Sequence, residues 1–197
     1  MSIETFNKLT ARARNGIRRS LRNHKYEHAP EGIFLPKEGV LLRGLMVHSL
    51  NGGEPEYDTN LVVEQGRNYL LDTALHNQAQ IANWYVALFA GNVTPQLSWT
   101  AANFAANATE FVAYAETARP AYDEGAAASG AIDNFASKAA FNINDEGTVY
   151  GGAIISASGK SATTGKLLAA ARFNNARDVQ TDDLLQIGYQ IALLTPA

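Results

Sequence analysis

The chain has 197 residues, 46% of them hydrophobic and 18% charged, with a formal net charge of −3. That is length enough for one buried core, or for a core with an extended appendage. With no cysteine, disulfides, thiolate metal sites and cysteine nucleophiles are excluded. No stretch reaches the roughly 18 apolar residues of a membrane span, and none reads as a signal peptide, so a cytoplasmic protein is expected.

The first segment in chain order is basic. Residues 1–25 carry Lys8, Arg12, Arg14, Arg18, Arg19, Arg22 and Lys25 against Glu4 alone, a net +6 that leaves −9 on the remaining 172 residues. On a helical wheel Ile3, Phe6, Leu9, Ala13, Ile17 and Leu21 fall within about 120° of one another, and the basic side chains fill the rest of the circle. Ser2 can cap the start and Glu4 suits the first turn. Gly16 weakens the middle by roughly 1 kcal/mol relative to alanine, so the arm is expected to order against a partner surface.

Four roles fit such a helix. Its apolar stripe could pack on the body of the same chain, or it could dock on another subunit with its guanidinium groups meeting carboxylates. Phosphate contacts would suit the charge density, although the apolar stripe would then need a second home. A membrane surface fits least well, because the apolar face lacks tryptophan anchors. The residues assigned to partner docking are Phe6, Leu9, Arg12, Arg14, Ile17, Arg18, Leu21 and Arg22.

Residues 26–39 read as an extended linker, because "HKYEHAPEGIFLPK" (24–37) holds two prolines, a glycine and no period. His24 and His28 are spaced like ligands on one helical turn, but Pro30 and the lack of a third ligand argue against a metal. The β domain is placed at 40–197. "VLLRGLMVHSL" (40–50) predicts a strand and "NGGEPEYDTN" a turn-rich loop. "NLVVEQGRNYLLDTALHNQ" (60–78) predicts the one long helix of the body, with Val63, Tyr69 or Leu70, Ala74 and Leu75 at helical spacing.

The period then switches to two. In "NWYVALFAG" (83–91), Trp84, Val86 and Leu88 alternate with Tyr85, Ala87 and Phe89, so both faces are apolar, as in a central strand. Further strands are predicted at 109–116, 137–144, 148–158, 165–173 and 183–194. Leu185, Ile187, Tyr189, Ile191 and Leu193 should share the inner face of the last. The loops between them are "RPAYDEGAAASG", "NDEG", "SGKSATTG" and "NNARDVQTDD". The fold class expected is mainly β: an antiparallel β-sandwich or small barrel, Ig-like or jelly-roll-like, with one body helix and an N-terminal amphipathic helical arm.

Motifs that carry chemistry are weak. "SGKSATTGK" ends like a phosphate-binding loop at Gly159, Lys160 and Ser161, but that loop needs a glycine at position 154, which is isoleucine, and a hairpin tip explains the stretch better. His48 or His76 could join a serine and an aspartate in a triad on paper, without the "GxSxG" elbow that would support it. Asp123-Glu124 and Asp182-Asp183 lack calcium-loop spacing and read as solvated turns. The Asn-x-Thr triplets at Asn92 and Asn107 match a glycosylation site by sequence alone and carry no assignment. No catalytic residue, metal or cofactor is assigned.

The series "NLVVEQGRNYLLDTAL", "NWYVALFAGN", "TEFVAYAETARPAY", "NFASKAAFNIN", "VYGGAIISASGKSATTGKLLAAARF" and "DLLQIGYQIAL", in that order across residues 60–194, resembles a family of small structural proteins of tailed-bacteriophage virions. The resemblance covers some two-thirds of the chain and leaves residues 1–39 outside. It implies a non-enzymatic head or neck accessory, of collar or capsid-decoration type, present as a symmetric oligomer. The arm would dock on portal, connector or major capsid subunits, with packaged DNA as a lesser alternative and no membrane. Two other functions stay open. One is a receptor- or carbohydrate-binding module on a tail or fibre, using Trp84, Trp99, Tyr114 and Tyr122; the other is a nucleic-acid-binding protein acting through Arg12 to Arg22.

Overall fold

The computed structural model describes residues 41–194, Asn15, and the backbone of 27–29 and 32–34. Inside the expected linker, β1 (Glu27–Ala29) pairs antiparallel with β2 (Gly32–Phe34) in a two-stranded ribbon, with only Pro30 and Glu31 between them. Apart from Asn15, the arm lies outside the described residues.

Leu42–Leu193 belong to one compact unit. It is mainly β, with two five-stranded sheets and two helices. The first sheet has the order β5 (Leu61–Val62), β11 (Leu167–Val179), β10 (Gly147–Ile155), β6 (Tyr85–Phe89), β7 (Glu110–Phe111). The second runs β4 (Glu56–Thr59), β3 (Leu41–Leu50), β12 (Leu184–Leu194), β8 (Ala131–Asp133). In that sheet β9 (Ala139–Asn142) also pairs with β12, taking residues 184–187 while β8 takes 190–192.

The strands follow from alternation. Val86 and Leu88 of β6 enter a core shared by both sheets, with Met46, Phe141, Ile154, Phe173, Leu185, Ile187 and Tyr189. Ala87 and Phe89 enter a second core on the outer face of the first sheet, under α2 (Ala101–Ala108). There Phe89, Trp99 and Phe104 meet edge to face at 6.2–6.3 Å. The apolarity of both β6 faces is thus explained by burial from two sides. On β12, Leu185, Ile187 and Tyr189 are fully buried, Ile191 is partly so, and Leu193 is exposed as the strand leaves the core.

Several expectations change. The helix expected over 60–78 is α1 (Glu64–Leu75), because Leu61–Val62 pair with β11 instead. Val63, Gly66 and Tyr69 are its buried contacts, whereas Leu71, Ala74 and Leu75 face solvent. The strand expected at 109–116 is short because the chain changes sheets: Phe111 pairs with Leu88, while Tyr114 bridges Ile143 beyond β9. "NNARDV" continues β11 rather than forming a loop, with Asp178 and Val179 paired to Thr148 and Gly147. The helix α2 was not expected at all. Its start is closed by Thr100 N donating to Asn103 Oδ1 at 2.8 Å, and Thr109 ends it in the left-handed region.

Helix α1 lies against the backbone of β11. A Cβ on Gly66 would run into the Leu168 carbonyl, the same oxygen that accepts from Val63 N. Alanine is intrinsically better in a helix by about 1 kcal/mol, yet Gly66→Ala should destabilise the fold by about 1–3 kcal/mol, since neither backbone can give way. Leu75→Ala, at an 82% exposed position, should stay within ~0.5 kcal/mol of wild type. Urea unfolding of the two variants checks the contrast.

Candidate functional site

The eight residues assigned to partner docking, Phe6 to Arg22, lie outside the described residues. So does the His24–His28 pairing. Among the described residues no three His, Asp or Glu side chains gather as metal ligands. What the body displays is two buried polar clusters and one open cleft.

The first cluster contains His48. Strands β3 and β4 pair with His48 opposite Glu56 and Met46 opposite Asp58, so Asp58 lies diagonal to His48 on the same face. His48 Nε2 sits 2.9 Å from Asp58 Oδ2, and Arg177 Nε donates to His48 Nδ1 at 2.8 Å. An arginine only donates, so Nδ1 must be the bare nitrogen and the ring is the Nε2–H tautomer. Asp58 also accepts from Asn174 N at 2.9 Å, Arg177 pairs with Glu56 at 3.0 Å, and Phe173 stacks on the imidazole at 3.8 Å. The cluster therefore joins β3 and β4 of one sheet to β11 of the other. Both ring nitrogens are engaged and the side chain is fully buried, so His48 has no free lone pair to offer a serine. Sequence reading found His48 and could not find its partners, which come from 10 and 129 residues away.

The second cluster pins the hairpin tip. Arg119 and Glu110, both buried, form a two-pronged pair at 2.8 and 2.7 Å. Arg119 Nη1 also donates to the Ala157 carbonyl at 2.8 Å, and Ser161 N donates to Glu110 Oε2 at 3.0 Å. Lys160 Nζ donates to the carbonyls of Val112 and Tyr114 and lies 3.8 Å from the centre of the Tyr114 ring. The "SGKSATTG" loop is a hairpin tip folded back on residues 110–119, and its lysine is occupied there. Asp183, one of the paired acids, closes its turn by accepting from Asn51 Nδ2 and Gln180 N. Those two bonds hold its carboxyl below the usual range.

The open feature is a cleft of about 240 Å³ lined by Ala82–Tyr85 and Ala121–Glu124. Residues 84–86 and 120–122 run side by side there: Val86 N donates to Pro120 O at 2.9 Å and Tyr122 N to Trp84 O at 2.8 Å. The Trp84 ring stands edge-on to Tyr69 at 5.3 Å, and the Tyr69 hydroxyl accepts from Ile81 N at 2.7 Å. Of the four aromatic residues considered for sugar stacking, Trp99, Tyr114 and Tyr122 belong to the cores and only Trp84 is partly exposed.

Burial, then the nearby Arg177 guanidinium, lower the His48 pKa from its ordinary 6.5, against the opposing pull of Asp58. The folded state thus refuses a proton that the unfolded chain accepts. Stability contributed by neutral His48 is complete above about pH 6.5 and falls as pH drops towards the folded pKa, by at most ~1.4 kcal/mol per pH unit. His48→Gln keeps a donor for Asp58 and an acceptor for Arg177 without titrating. Denaturant titrations at several pH values should show a flatter stability profile between about pH 7 and about pH 5 for this variant than for wild type. For the second cluster, Glu110→Ala strands a buried guanidinium and should cost about 3–5 kcal/mol, whereas Glu110→Leu with Arg119→Met should cost clearly less. No family model matches the chain, and no curated protein matches its sequence.

Proposed function

We propose that the chain is a non-enzymatic structural component of a tailed-phage virion, a head or neck accessory of collar or capsid-decoration type. In this reading residues 1–25 dock on portal, connector or shell subunits, and the β domain faces outward as a β-sandwich of the Ig-like or jelly-roll-like kind. The observation that carries it is the division of charge: +6 on the amphipathic segment and −9 on the rest. The ordered resemblance across residues 60–194 supports the virion setting, and the shared core of the two sheets supports the sandwich. The polar clusters of the body act as braces between elements, which suits a scaffold. The carbohydrate-binding alternative loses three of its four aromatics to the cores. A nucleic-acid role of the arm is separated by experiment.

Replacing Phe6, Ile17 and Leu21 with serine removes apolar burial of roughly 1.5–3 kcal/mol for each large side chain, and incorporation into particles should collapse. Replacing Arg14, Arg18 and Arg22 with glutamine keeps length and helix propensity while deleting charge, and should weaken incorporation in proportion to the carboxylates met. Occupancy in purified particles is the measurement. If the serine variant assembles normally while the glutamine variant is lost, and DNA-free particles show the same loss, the arm binds nucleic acid and the docking reading is wrong. If neither variant changes occupancy, attachment lies elsewhere.

A further inference from the structure

We propose that the cleft between residues 82–85 and 121–124 receives a basic side chain from the arm of a second copy of this chain. The inference rests on the reading of the arm as a docking element and names one surface it docks on. The residues lining the cleft include the partly exposed Trp84 and two carboxylates, those of Asp123 and Glu124. Asp123 and Glu124 are exposed and make no hydrogen bond or ion pair among the described residues, and no lysine or arginine lines the cleft. A guanidinium fits this set: its face stacks on an aromatic ring, while its edge donates two parallel bonds to a carboxylate. The same chain already places the Lys160 ammonium 3.8 Å from the centre of the Tyr114 ring.

The geometry is built before any ligand arrives. Trp84 is held by Tyr69 of α1, and Tyr122 by its own hydroxyl donating to the Tyr189 carbonyl at 3.3 Å. The 120–122 segment is bonded along 84–86. A rigid aromatic wall loses little freedom on binding. The source of the cation follows from the charge division. Five arginines lie between positions 12 and 22, and the acidic remainder of each copy repels its neighbours until those arginines are shared. An arm-to-cleft contact is heterologous, joining one face of a copy to a different face of the next, which builds a ring where the rotation closes and a filament where it does not.

The test is a complementation. The full-length chain should associate with rising concentration in sedimentation velocity, and added salt should weaken the association. Asp123→Asn with Glu124→Gln should lower the association constant by roughly tenfold or more, and replacing Arg12, Arg14, Arg18 and Arg22 with glutamine should do the same. Asp123 and Glu124 lie outside the two cores, and the melting temperatures of both variants should match wild type. Mixing the two variants should restore association as a one-to-one pair, since one supplies arms and the other clefts. Trp84→Ala is the independent check on the aromatic wall and should weaken self-association in the same assay.

A cleft variant that associates like wild type overturns the inference, as does a mixture that stays monomeric. So does Trp84 emission that responds to a neutral oligosaccharide such as maltoheptaose while self-association is absent; the cleft is then a sugar site. Particle incorporation is read separately. If arm variants are lost from particles while the wild-type chain never self-associates, this inference fails and the docking reading stands. If the mixture pairs while incorporation ignores the arm, the inference stands and the docking reading fails.

Discussion

The sheet formed by β5, β11, β10, β6 and β7 is buried on both faces, and that constraint governs the residues at its centre. Layers close in from two sides, so the large side chains at its centre need small neighbours. Gly151 faces the Phe89 ring and the Ala171 carbonyl so closely that a Cβ has no room, and at Gly152 a Cβ would press on Met46 Sδ at 2.7 Å. Ala87, Ala153, Ala169, Ala170 and Ala171 are fully buried or nearly so beside them. Large side chains such as Phe89, Phe104 and Phe173 then fill the volume these residues leave, in keeping with the close packing of protein interiors. Gly66 extends the rule to the helix layer, where a residue poor for helices is used because α1 must touch the backbone of β11.

Polar bonds fix which elements meet where apolar packing alone would not. The Gln65 side-chain carbonyl accepts from Ala101 N at 3.0 Å and from Leu167 N at 2.7 Å, so one residue of α1 sets both the start of α2 and the start of β11. His48 with Asp58 and Arg177 ties the two sheets at one place, and Arg119 with Glu110 ties the strand-switching segment to the hairpin tip. Asn51 ties the β3–β4 turn to β12 by accepting from Leu184 N at 2.8 Å and donating to Asp183 at 2.6 Å. The buried bonds among these contribute little net energy but are costly to break. They therefore select one arrangement among several that would bury the same apolar area.

The β-strands were legible where alternation was strong, as in β3, β6, β9, β10 and β12. The failures have separate physical causes. "AANFAANA" carries no long apolar repeat, and only Phe104 among its residues is large; the helix forms because Ala101, Phe104 and Ala108 fit under the aromatic cluster. "NNARDV" looks like a loop because most of its residues are polar, yet in β11 Asn174 and Asn175 bond to Asp58 and Glu56 while Val179 packs in the core. The short strands β4, β5 and β8 are set by their partners and not by any pattern of their own. Of the predicted helical face, Val63 and Tyr69 are buried while Ala74 and Leu75 face solvent. As for the site, Trp84 and the Asp123-Glu124 pair were visible as residues, while their convergence depends on the bridge between 85 and 121, which no local signal announces.

The internal bonding leaves the net charge of the body unchanged but decides which of its charges already have partners. Arg119, Lys160, Arg172 and Arg177 donate to groups within the body, the third to Asn92 Oδ1 at 2.6 Å. Four of the nine cations that follow the arm are therefore already engaged with partners in their own chain. Asp58 and Glu110 bond inside the body and Glu56 pairs with Arg177, whereas Glu54, Glu64, Asp72, Asp123 and Glu124 face water. The field outside the body is thus negative. At physiological salt that field is screened beyond about 8 Å, so it acts only on a partner that comes into contact. A surface of this kind repels copies of itself and accepts a cationic segment. The surplus of cations lies in residues 1–25 of the same polypeptide, so under the proposed contact one chain carries both halves of such a pair.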